Sequence, residues 1–335
     1  MIVKKVNAKK PYNVVIAEDF SNLRESILSA TSFNKVCIVA DENTSMYLEQ
    51  VKNALNGFEI LTYVIKAGEQ SKCLKTFGEI ASFLAQNQMT RKDLLIALGG
   101  GVVGDLTAFV ASCYMRGIAF VNVPTSLLAM VDSSVGGKTA IDIPEGKNWV
   151  GSFYSPNLCY INVNTLKTLP NEEILCGLGE IVKYAYLSNT ITAKDIEEFD
   201  CVNLISKSLD VKISIVEEDE FEGGKRKLLN LGHTIGHGIE SLSNYTLSHG
   251  LCVAKGIDYI IDFSKDYYNL SEEKYSQLKD ILRAQPFDLS LVYPLKDIAE
   301  KIKVDKKAQS SYVDMVLIKD VGKCEIVKIA IKDIK

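Results

Sequence analysis

The sequence Asp93-Leu-Leu-Ile-Ala-Leu98-Gly99-Gly100-Gly101-Val102-Val103-Gly104-Asp105 joins a short apolar run to a cluster of glycines. An apolar run of this length predicts a buried strand, and the glycines predict a tight turn into a helix. Such a turn lets backbone N–H groups approach a pyrophosphate, and the N-terminus of the helix favours its negative charge. The spacing differs from GxGxxG, so a purely structural turn explains the motif equally well. The segment therefore indicates an α/β fold and leaves phosphate binding open.

Strand-like and helix-like runs alternate on both sides of this segment. Residues Cys73–Gln88 carry apolar side chains at intervals of three and four, as in an amphipathic helix. Four further apolar runs predict strands, namely Lys35–Ala40, Phe58–Ile65, Gly117–Val123 and Leu158–Val163. Strands that alternate with helices predict a parallel sheet. We therefore expect a Rossmann-like α/β domain over residues 1–170.

The sequence pattern changes after Pro170, where helical periodicity dominates. The predicted helices are Asn171–Leu187, Val202–Glu217, Asn230–Leu242, Gly250–Asp266 and Glu272–Arg283. Strand patterns return only at Tyr312–Ile318 and Glu325–Ala330. We therefore expect a mainly α-helical domain over residues 171–335.

Composition excludes several classes of function. The 335 residues carry a net charge of −4 with a pI near 5.6, which argues against the broad basic face that nucleic acids require. We see neither a signal peptide nor a membrane-spanning stretch, and expect a cytoplasmic protein without a membrane partner. The eight cysteines form no CxxC pair, which argues against a zinc ribbon or a disulfide framework.

Polar residues follow several of the predicted strands, where ligand-binding loops of α/β sheets gather. Asp41 ends a strand, where its carboxylate could accept a hydrogen bond from a ribose hydroxyl, and a polar turn begins at Glu69. The segment Pro124–Thr139 contains Asp132 and Lys138, and Lys147-Asn148 follows it. Two lysines and an asparagine near paired glycines suit a phosphate ester, although a solvated loop is the simpler explanation for any single lysine.

The only three histidines, His233, His237 and His249, lie within seventeen residues of one another. The first two are four residues apart and share one helix face, but Thr234 replaces the glutamate of HExxH. Glu180 lies in an otherwise apolar helix, where a carboxylate needs a cation. Two imidazoles and a carboxylate would form an open three-ligand zinc site, with the remaining histidine as a proton carrier. The spacing does not decide which of the four groups are ligands, and core or helix-cap histidines are the alternative.

Together these segments resemble the 3-dehydroquinate synthase family. The matching blocks occur in the family's order from about Asp41 to Lys307: GGGVVGDLTAFVASCYMRG, VPTSLLAMVDSSVGGKTAID, GKNWVGSFYSP, GLGEIVKY, DEFEGGKRKLLNLGHTIGH and Asp305-Lys306-Lys307. The resemblance implies the dehydroquinate-synthase-like fold, which is related to that of glycerol-dehydrogenase-like enzymes. It also implies one divalent metal ion, Zn or Co, held by Glu180, His233 and His249.

The resemblance further implies NAD as cofactor and assigns residues to its surroundings: Asp41, Glu69, Gln70, Lys72, Gly100, Gly101, Val102, Val103, Gly104, Asp105, Thr125, Ser126, Asp132, Lys138, Lys147, Thr165, Leu166, Lys167 and Thr168. Residues matching catalytic or substrate-contacting positions are Asp132, Lys138, Asn148, Lys183, Lys212, Glu222, Arg226, Asn230, His237 and Lys306. Arg116 matches an arginine that reaches the neighbouring subunit's site, which implies a homodimer.

The family reaction is the second step of the shikimate pathway, in which 3-deoxy-D-arabino-heptulosonate 7-phosphate becomes 3-dehydroquinate and phosphate. NAD oxidises C5 transiently, phosphate leaves, the ketone is reduced again, and an intramolecular aldol step closes the carbocycle. Lys138, Asn148, Asn230 and Lys306 are expected to bind the phosphate, Lys212 and Arg226 the carboxylate, and His237 to relay a proton. Leu251 stands where the family usually has glutamate, and Ser126 replaces a frequent threonine.

Three alternative functions differ from this one in their residues or products. Sister sugar-phosphate cyclases share NAD and zinc but differ in the residues that bind the substrate's carboxylate, and the presence of Lys212, Arg226, Asn230 and His237 disfavours them. A glycerol-dehydrogenase-like enzyme would accumulate NADH. A catalytically inactive binding protein would have lost the ligands.

Overall fold

The computed structural model describes residues 1–291, 293–305 and 311–334. The chain forms two compact units, Met1–Leu169 and Pro170–Lys335. Among the described residues, no helix combines the length and the apolar character needed to cross a membrane. Lys306, expected to contact the substrate, lies outside the described residues.

The first unit is built on a seven-stranded sheet in the order β1-β2-β9-β6-β5-β3-β4, parallel except for the antiparallel β1–β2 pair. Its strands are β1 (Ile2–Val6), β2 (Tyr12–Ala17), β3 (Lys35–Asp41), β4 (Glu59–Ile65), β5 (Leu94–Gly99), β6 (Ala119–Pro124) and β9 (Leu158–Asn162). A separate antiparallel hairpin consists of β7 (Lys138–Ile143) and β8 (Gly146–Phe153). The helices are α1 (Leu23–Ala30), α2 (Leu48–Ala54), α3 (Leu74–Gln86) and α4 (Gly101–Cys113).

Strand β5 is buried on both faces, which explains its uninterrupted apolar sequence. Leu94, Ile96 and Leu98 pack into one hydrophobic cluster, and Leu95 and Ala97 pack into the other. This alternation follows from the two-residue period of a strand, which sends successive side chains to opposite faces. The predicted Rossmann-like parallel sheet is therefore confirmed.

The sequence did not predict four of the strands in this unit. Strands β1 and β2 pair at one edge of the sheet, and most of β1 is exposed. The polar segment containing Lys138 and Thr139 was expected as a loop, but these residues begin β7. Lys147 and Asn148 lie in β8, so the lysines and the asparagine that were expected in a phosphate-binding loop lie in a β-hairpin.

The second unit is mainly helical, as predicted. Its helices are α5 (Asn171–Leu187), α6 (Ala193–Glu198), α7 (Cys201–Glu218), α8 (His233–Leu242), α9 (His249–Tyr268), α10 (Glu272–Arg283) and α11 (Leu295–Asp305). Strands β10 (Tyr312–Asp320) and β11 (Lys323–Ala330) form an antiparallel pair.

The predicted start of α8 at Asn230 was wrong. Lys225–Asn230 form a short 3-10 helix, and Gly232 adopts a positive φ of 78° before the helix begins at His233. A side chain at Gly232 would also lie 2.6 Å from the carbonyl oxygen of Val253. Both conditions require glycine at position 232. The chain turns there, and α8 begins directly afterwards with His233.

Candidate metal centre and cofactor turn

Three helices of the second unit touch through glycine backbones, and each contact adjoins a candidate metal ligand. A Cβ atom on Gly179 of α5 would lie 2.1 Å from the carbonyl oxygen of Gly250 in α9. A Cβ atom on Gly256 of α9 would lie 2.0 Å from the carbonyl oxygen of Gly232, which precedes α8. The neighbouring residues are Glu180, His249 and His233. Because no side chains separate the backbones at these contacts, the three helix turns that carry the candidate ligands can approach one another closely.

The side chains of Glu180, His233 and His249 converge at this point. Nε2 of His233 and Nε2 of His249 each lie 3.3 Å from Oε1 of Glu180. One ligand atom from each residue lies within 4.8 Å of the others. A carboxylate and two imidazoles at this separation fit a divalent cation such as Zn²⁺ or Co²⁺ and leave coordination positions for other ligands.

Glu180 is completely buried, and its charge requires compensation. Lys183, one turn further along α5, pairs with Oε2 of Glu180 and is buried as well. Burial alone would raise the pKa of Glu180, but Lys183 and then His233 hold it well below its usual range. Neither oxygen makes a hydrogen bond of good geometry within the described chain. Oε1 is therefore an ionised, buried acceptor that faces two imidazoles, which is the role of a metal ligand.

The protonation of His249 is coupled to two carboxylates. Partial burial by itself would lower the pKa of His249, but its contacts with Glu180 and Glu240 outweigh this effect and raise the pKa to about 10. The metal-free cluster therefore holds positive charge around Glu180. Because a metal ligand must be deprotonated, a divalent ion would take the place of this imidazole proton.

His237 and Glu240 form a second group with His249, whose ligand atoms also lie within 4.8 Å of one another. His237 is exposed, and its ring centre lies 5.3 Å from that of His233. Glu240 was not predicted from the sequence. A signal was available, since Glu240 follows His237 by three residues and His233 by seven and so shares their helix face.

The other predicted substrate residues of the second unit lie on α7 and the segment after it. Lys212 and Arg226 are both buried, and Nη1 of Arg226 donates to the carbonyl oxygen of Glu220. Asp219 accepts hydrogen bonds from the backbone N–H of Arg226 at 2.9 Å and of Gly224 at 2.7 Å, which fixes the turn. Nδ2 of Asn230 donates to Oε1 of Glu222 at 3.2 Å. Their contacts with substrate remain a prediction.

In the first unit, predicted cofactor residues converge at the carboxyl ends of neighbouring strands. Asp41 ends β3, Gly99 ends β5, and Thr125 follows β6. The backbone N–H of Thr125 donates to the carbonyl of Gly99 at 3.0 Å, and the Thr165 hydroxyl donates to the carbonyl of Thr125 at 3.3 Å. Crevices at the carboxyl ends of parallel strands are where open α/β sheets bind ligands.

The glycine turn itself fits a pyrophosphate. Gly100 precedes α4, and no side chain caps the helix there. A Cβ atom added at Gly100 would lie 3.3 Å from the hydroxyl of Ser126, so glycine leaves this approach to the helix less crowded. Val103 is buried in the core, which leaves only its backbone for a ligand. The uncapped N–H groups of the first turn favour an anion, and this is the observation that supports NAD here.

Lys72 links several of the predicted cofactor residues. Its Nζ lies 2.6 Å from Oδ2 of Asp105 and 2.6 Å from Oδ1 of Asn148. Burial alone would lower the pKa of Lys72, but Asp105 and Glu69 raise it above its usual value. Nζ of Lys147 lies 4.0 Å from Oε1 of Glu69. The lysines expected to bind anions thus form a charged network with the acids around them.

The remaining predicted residues have varied positions. Asp132 lies in a π-helical turn, Ala129–Ser133, a geometry that often marks functional sites. Gln70 donates to the carbonyl of Ala67, Lys138 is exposed at the start of β7, and Leu166 is buried beside exposed Lys167 and Thr168. Arg116 is exposed and adopts a positive φ of 67°, directly after Met115 at 48°. Positive φ at two consecutive non-glycine residues is uncommon, and strained backbone of this kind clusters at functional sites.

Two family models adjoin along the chain and cover most of it. Residues 62–176 match the model described as 3-dehydroquinate synthase N-terminal, and residues 177–308 match 3-dehydroquinate synthase C-terminal. The chain belongs to the 3-dehydroquinate synthase family. A 3-dehydroquinate synthase from Ruminiclostridium cellulolyticum is 38% identical over 99% of this chain and 96% of its own length.

Solved structures of related cyclases share the fold of this 3-dehydroquinate synthase family member. The 2-deoxy-scyllo-inosose synthase complexed with carbaglucose-6-phosphate, NAD⁺ and Co²⁺ superposes with a TM-score of 0.90 at 23% identity, covering 98% of this chain and 97% of its own. The 2-epi-5-epi-valiolone synthase from Streptomyces hygroscopicus subsp. jinggangensis with NAD⁺ and Zn²⁺ bound gives 0.86 at 23% identity, covering 100% and 96%. At this identity the likeness establishes the fold alone.

Proposed function

We propose that the chain is a 3-dehydroquinate synthase, which converts 3-deoxy-D-arabino-heptulosonate 7-phosphate to 3-dehydroquinate and phosphate in the shikimate pathway. The observation that carries this proposal is the buried Glu180–His233–His249 cluster in a chain that belongs to this family along its length. A catalytically inactive relative would have no reason to keep an ionised carboxylate buried beside two imidazoles, because such a group is costly to fold.

The enzyme uses NAD and one divalent metal ion, Zn or Co. When bound, NAD supplies a reversible hydride acceptor, and the metal ion supplies a Lewis acid for the substrate hydroxyls. Glu180, His233 and His249 hold the metal. Asp41 and the N-terminus of α4 bind the ribose and the pyrophosphate of NAD, as their positions at the sheet edge suggest.

The charged residues of the second unit bind the substrate and move its protons. Arg226 and Lys212 take the carboxylate, since the planar guanidinium matches the two carboxylate oxygens. Asn230, held by Glu222, contributes a neutral donor to the phosphate. His237 is exposed and adjacent to His233, so it exchanges a proton with solvent and relays it from the C5 hydroxyl. Lys183 keeps Glu180 ionised.

The assembly and cellular location are proposed as well. The enzyme acts in the cytoplasm as a homodimer, with Arg116 reaching the partner subunit's site. The exposed position and strained backbone of Arg116 support this role, because a strained residue persists where it serves a contact.

Phosphate release tests the proposed function. Purified protein given the heptulosonate phosphate and NAD should release phosphate without lasting NADH absorbance, since NAD is regenerated in each turnover. A chelator should abolish release, and added Zn²⁺ or Co²⁺ should restore it. Phosphate release from sedoheptulose 7-phosphate but not from the heptulosonate would instead indicate a sister cyclase. Net accumulation of NADH would indicate an alcohol dehydrogenase.

A further inference from the structure

The two histidines at the proposed metal centre have the same orientation. Each directs Nε2 toward Oε1 of Glu180, at 3.3 Å in both cases. Each directs Nδ1 away from the metal centre toward an oxygen atom. Nδ1 of His233 lies 3.1 Å from the carbonyl oxygen of Leu231, and Nδ1 of His249 lies 3.4 Å from Oε2 of Glu240.

These oxygen partners determine which ring nitrogen can bind a metal. A carbonyl or carboxylate oxygen only accepts, so each Nδ1 must carry the hydrogen for the contact to be a hydrogen bond. In a neutral imidazole the lone pair is then on Nε2, which faces Glu180. An outer acceptor of this kind also fixes the ring plane and increases the basicity of the metal ligand.

The two partners differ in what a mutation can change. Leu231 acts through its backbone, which a substitution of its side chain leaves in place. Glu240 acts through a side chain that is only 11% exposed and lies on the His233 face of α8. Leu251, two residues after His249, has an apolar side chain that cannot accept a hydrogen bond. A substitution of Glu240 therefore tests the contact with His249 directly.

We propose that Glu240 is a positioning residue, whose carboxylate accepts a hydrogen bond from Nδ1 of His249 and holds Nε2 toward the metal. This inference rests on the proposed metal site and extends it by one residue. Glu240 does not bind the metal in this arrangement; it orients His249 from α8 while His249 itself lies at the start of α9. Helix α8 thus supplies one metal ligand directly and positions a second.

Metal affinity measured by chelator competition tests this role in three variants. Glu240→Ala should raise the Kd for Zn²⁺ by about 10–100-fold, the usual effect of losing an outer partner of a ligand. Glu240→Gln is nearly isosteric and keeps a neutral acceptor oxygen, so its Kd should fall between those of wild type and Glu240→Ala. Asp266→Asn, the same change of carboxylate to amide on the exposed part of α9, should leave the Kd unchanged.

The Co²⁺-loaded proteins provide a readout that a purely structural role would not change. The visible absorption spectrum of Co²⁺ should shift in Glu240→Ala, because the imidazole is free to rotate. The urea midpoint of metal-free Glu240→Gln should fall, because the carboxylate that pairs with the protonated His249 is lost, and this measurement reports that loss separately from the Kd for Zn²⁺. Unchanged Kd values and spectra in both variants, or a loss confined to the metal-free midpoint, would overturn the positioning role. Failure of wild type itself to bind Zn²⁺ or Co²⁺ would instead overturn the metal site and this inference with it.

Discussion

The two carboxylate oxygens of Glu180 have different electrostatic environments. One oxygen pairs with buried Lys183, and the other faces the two imidazoles. In a buried ion pair, the mutual attraction offsets the cost of removing both charges from water only while both partners are present. The stability of the metal-free protein and its affinity for metal therefore depend on different neighbours of the same carboxylate.

Removal of the charge of Glu180 should affect both properties. Glu180→Gln should abolish tight Zn²⁺ binding and destabilise the metal-free protein by about 3–5 kcal/mol, because Lys183 is left buried without its partner. The double variant Glu180→Gln/Lys183→Met should regain most of that stability and still fail to bind Zn²⁺. Urea unfolding and metal analysis measure the two effects separately. Equal stability of the single and double variants would contradict the pairing, and retained zinc would contradict the ligand assignment.

The sequence predicted which residues belong to this cluster, but it did not predict how they contact one another. An isolated carboxylate in an apolar helix and three clustered histidines identify the candidates, since such groups are costly to bury without a purpose. Spacing alone leaves open which histidine is spare, because His233 and His237 share a helix face. Glu240 was missed because the packing of α8 against α9 brings it to His249, and that packing is a tertiary contact.

At the scale of elements, glycines determine how closely α5, α8 and α9 approach. The contacts of Gly179 with Gly250 and of Gly256 with Gly232 are backbone-to-backbone. A backbone segment cannot move aside as the end of a flexible side chain can. An added methyl group at these positions must therefore separate the helices, and the ligands beside the glycines must move with them.

Substitution of Gly179 by alanine should weaken the metal site without changing any ligand. We expect Gly179→Ala to destabilise the protein by about 1–3 kcal/mol through overpacking. We also expect it to raise the Kd for Zn²⁺, because Glu180 moves away from His249. Chelator competition and urea unfolding measure these changes.

Gly78→Ala is the matched control for this prediction. Gly78 is exposed within α3, where an added Cβ meets no atom within 4 Å. This variant should be neutral or stabilised by about 0.5–1 kcal/mol, since alanine is the better helix former. A Gly179→Ala protein that binds zinc as tightly as the control would show that the ligands do not depend on this contact.

Nearly uniform burial explains why the central strands of the first unit were predicted. Strand β5 and its parallel neighbours are buried on both faces and have continuous apolar sequences. Strand β1 and the β7–β8 hairpin are partly exposed, and residues such as Lys4, Lys147 and Trp149 interrupt their alternation. Hydrophobic periodicity carries little information for such strands, because their pairing depends on partners distant in sequence.

At the scale of the whole molecule, the first unit contains the single tryptophan of the chain. Trp149 lies in β8 beside Asn148, whose side chain contacts Lys72, and it is 45% exposed. Its emission therefore reports on the unit proposed to bind NAD. Because the absorption of NADH overlaps tryptophan emission, bound NADH should quench Trp149.

Titration of NADH should give a saturable decrease in this fluorescence. Asp41→Asn should raise the Kd for NADH roughly tenfold, about 1.4 kcal/mol, because an amide nitrogen replaces one of the two acceptor oxygens. The turn should survive, since one oxygen remains to accept from the N–H and hydroxyl of Thr44. Asp19→Asn, at an exposed turn of the same unit, is the control. Equal Kd values for the two variants would remove Asp41 from the cofactor site.

The glycine contacts among α5, α8 and α9 also bear on how this chain can change over time. Backbone atoms meet at these contacts, so a larger residue at any of the four glycines must displace a helix turn that carries a proposed metal ligand. Sequence change at core positions away from these contacts should therefore affect the proposed metal centre less than change at the four glycines. For an engineer, the interior of the second unit is a region in which repacking for thermostability should be compatible with activity.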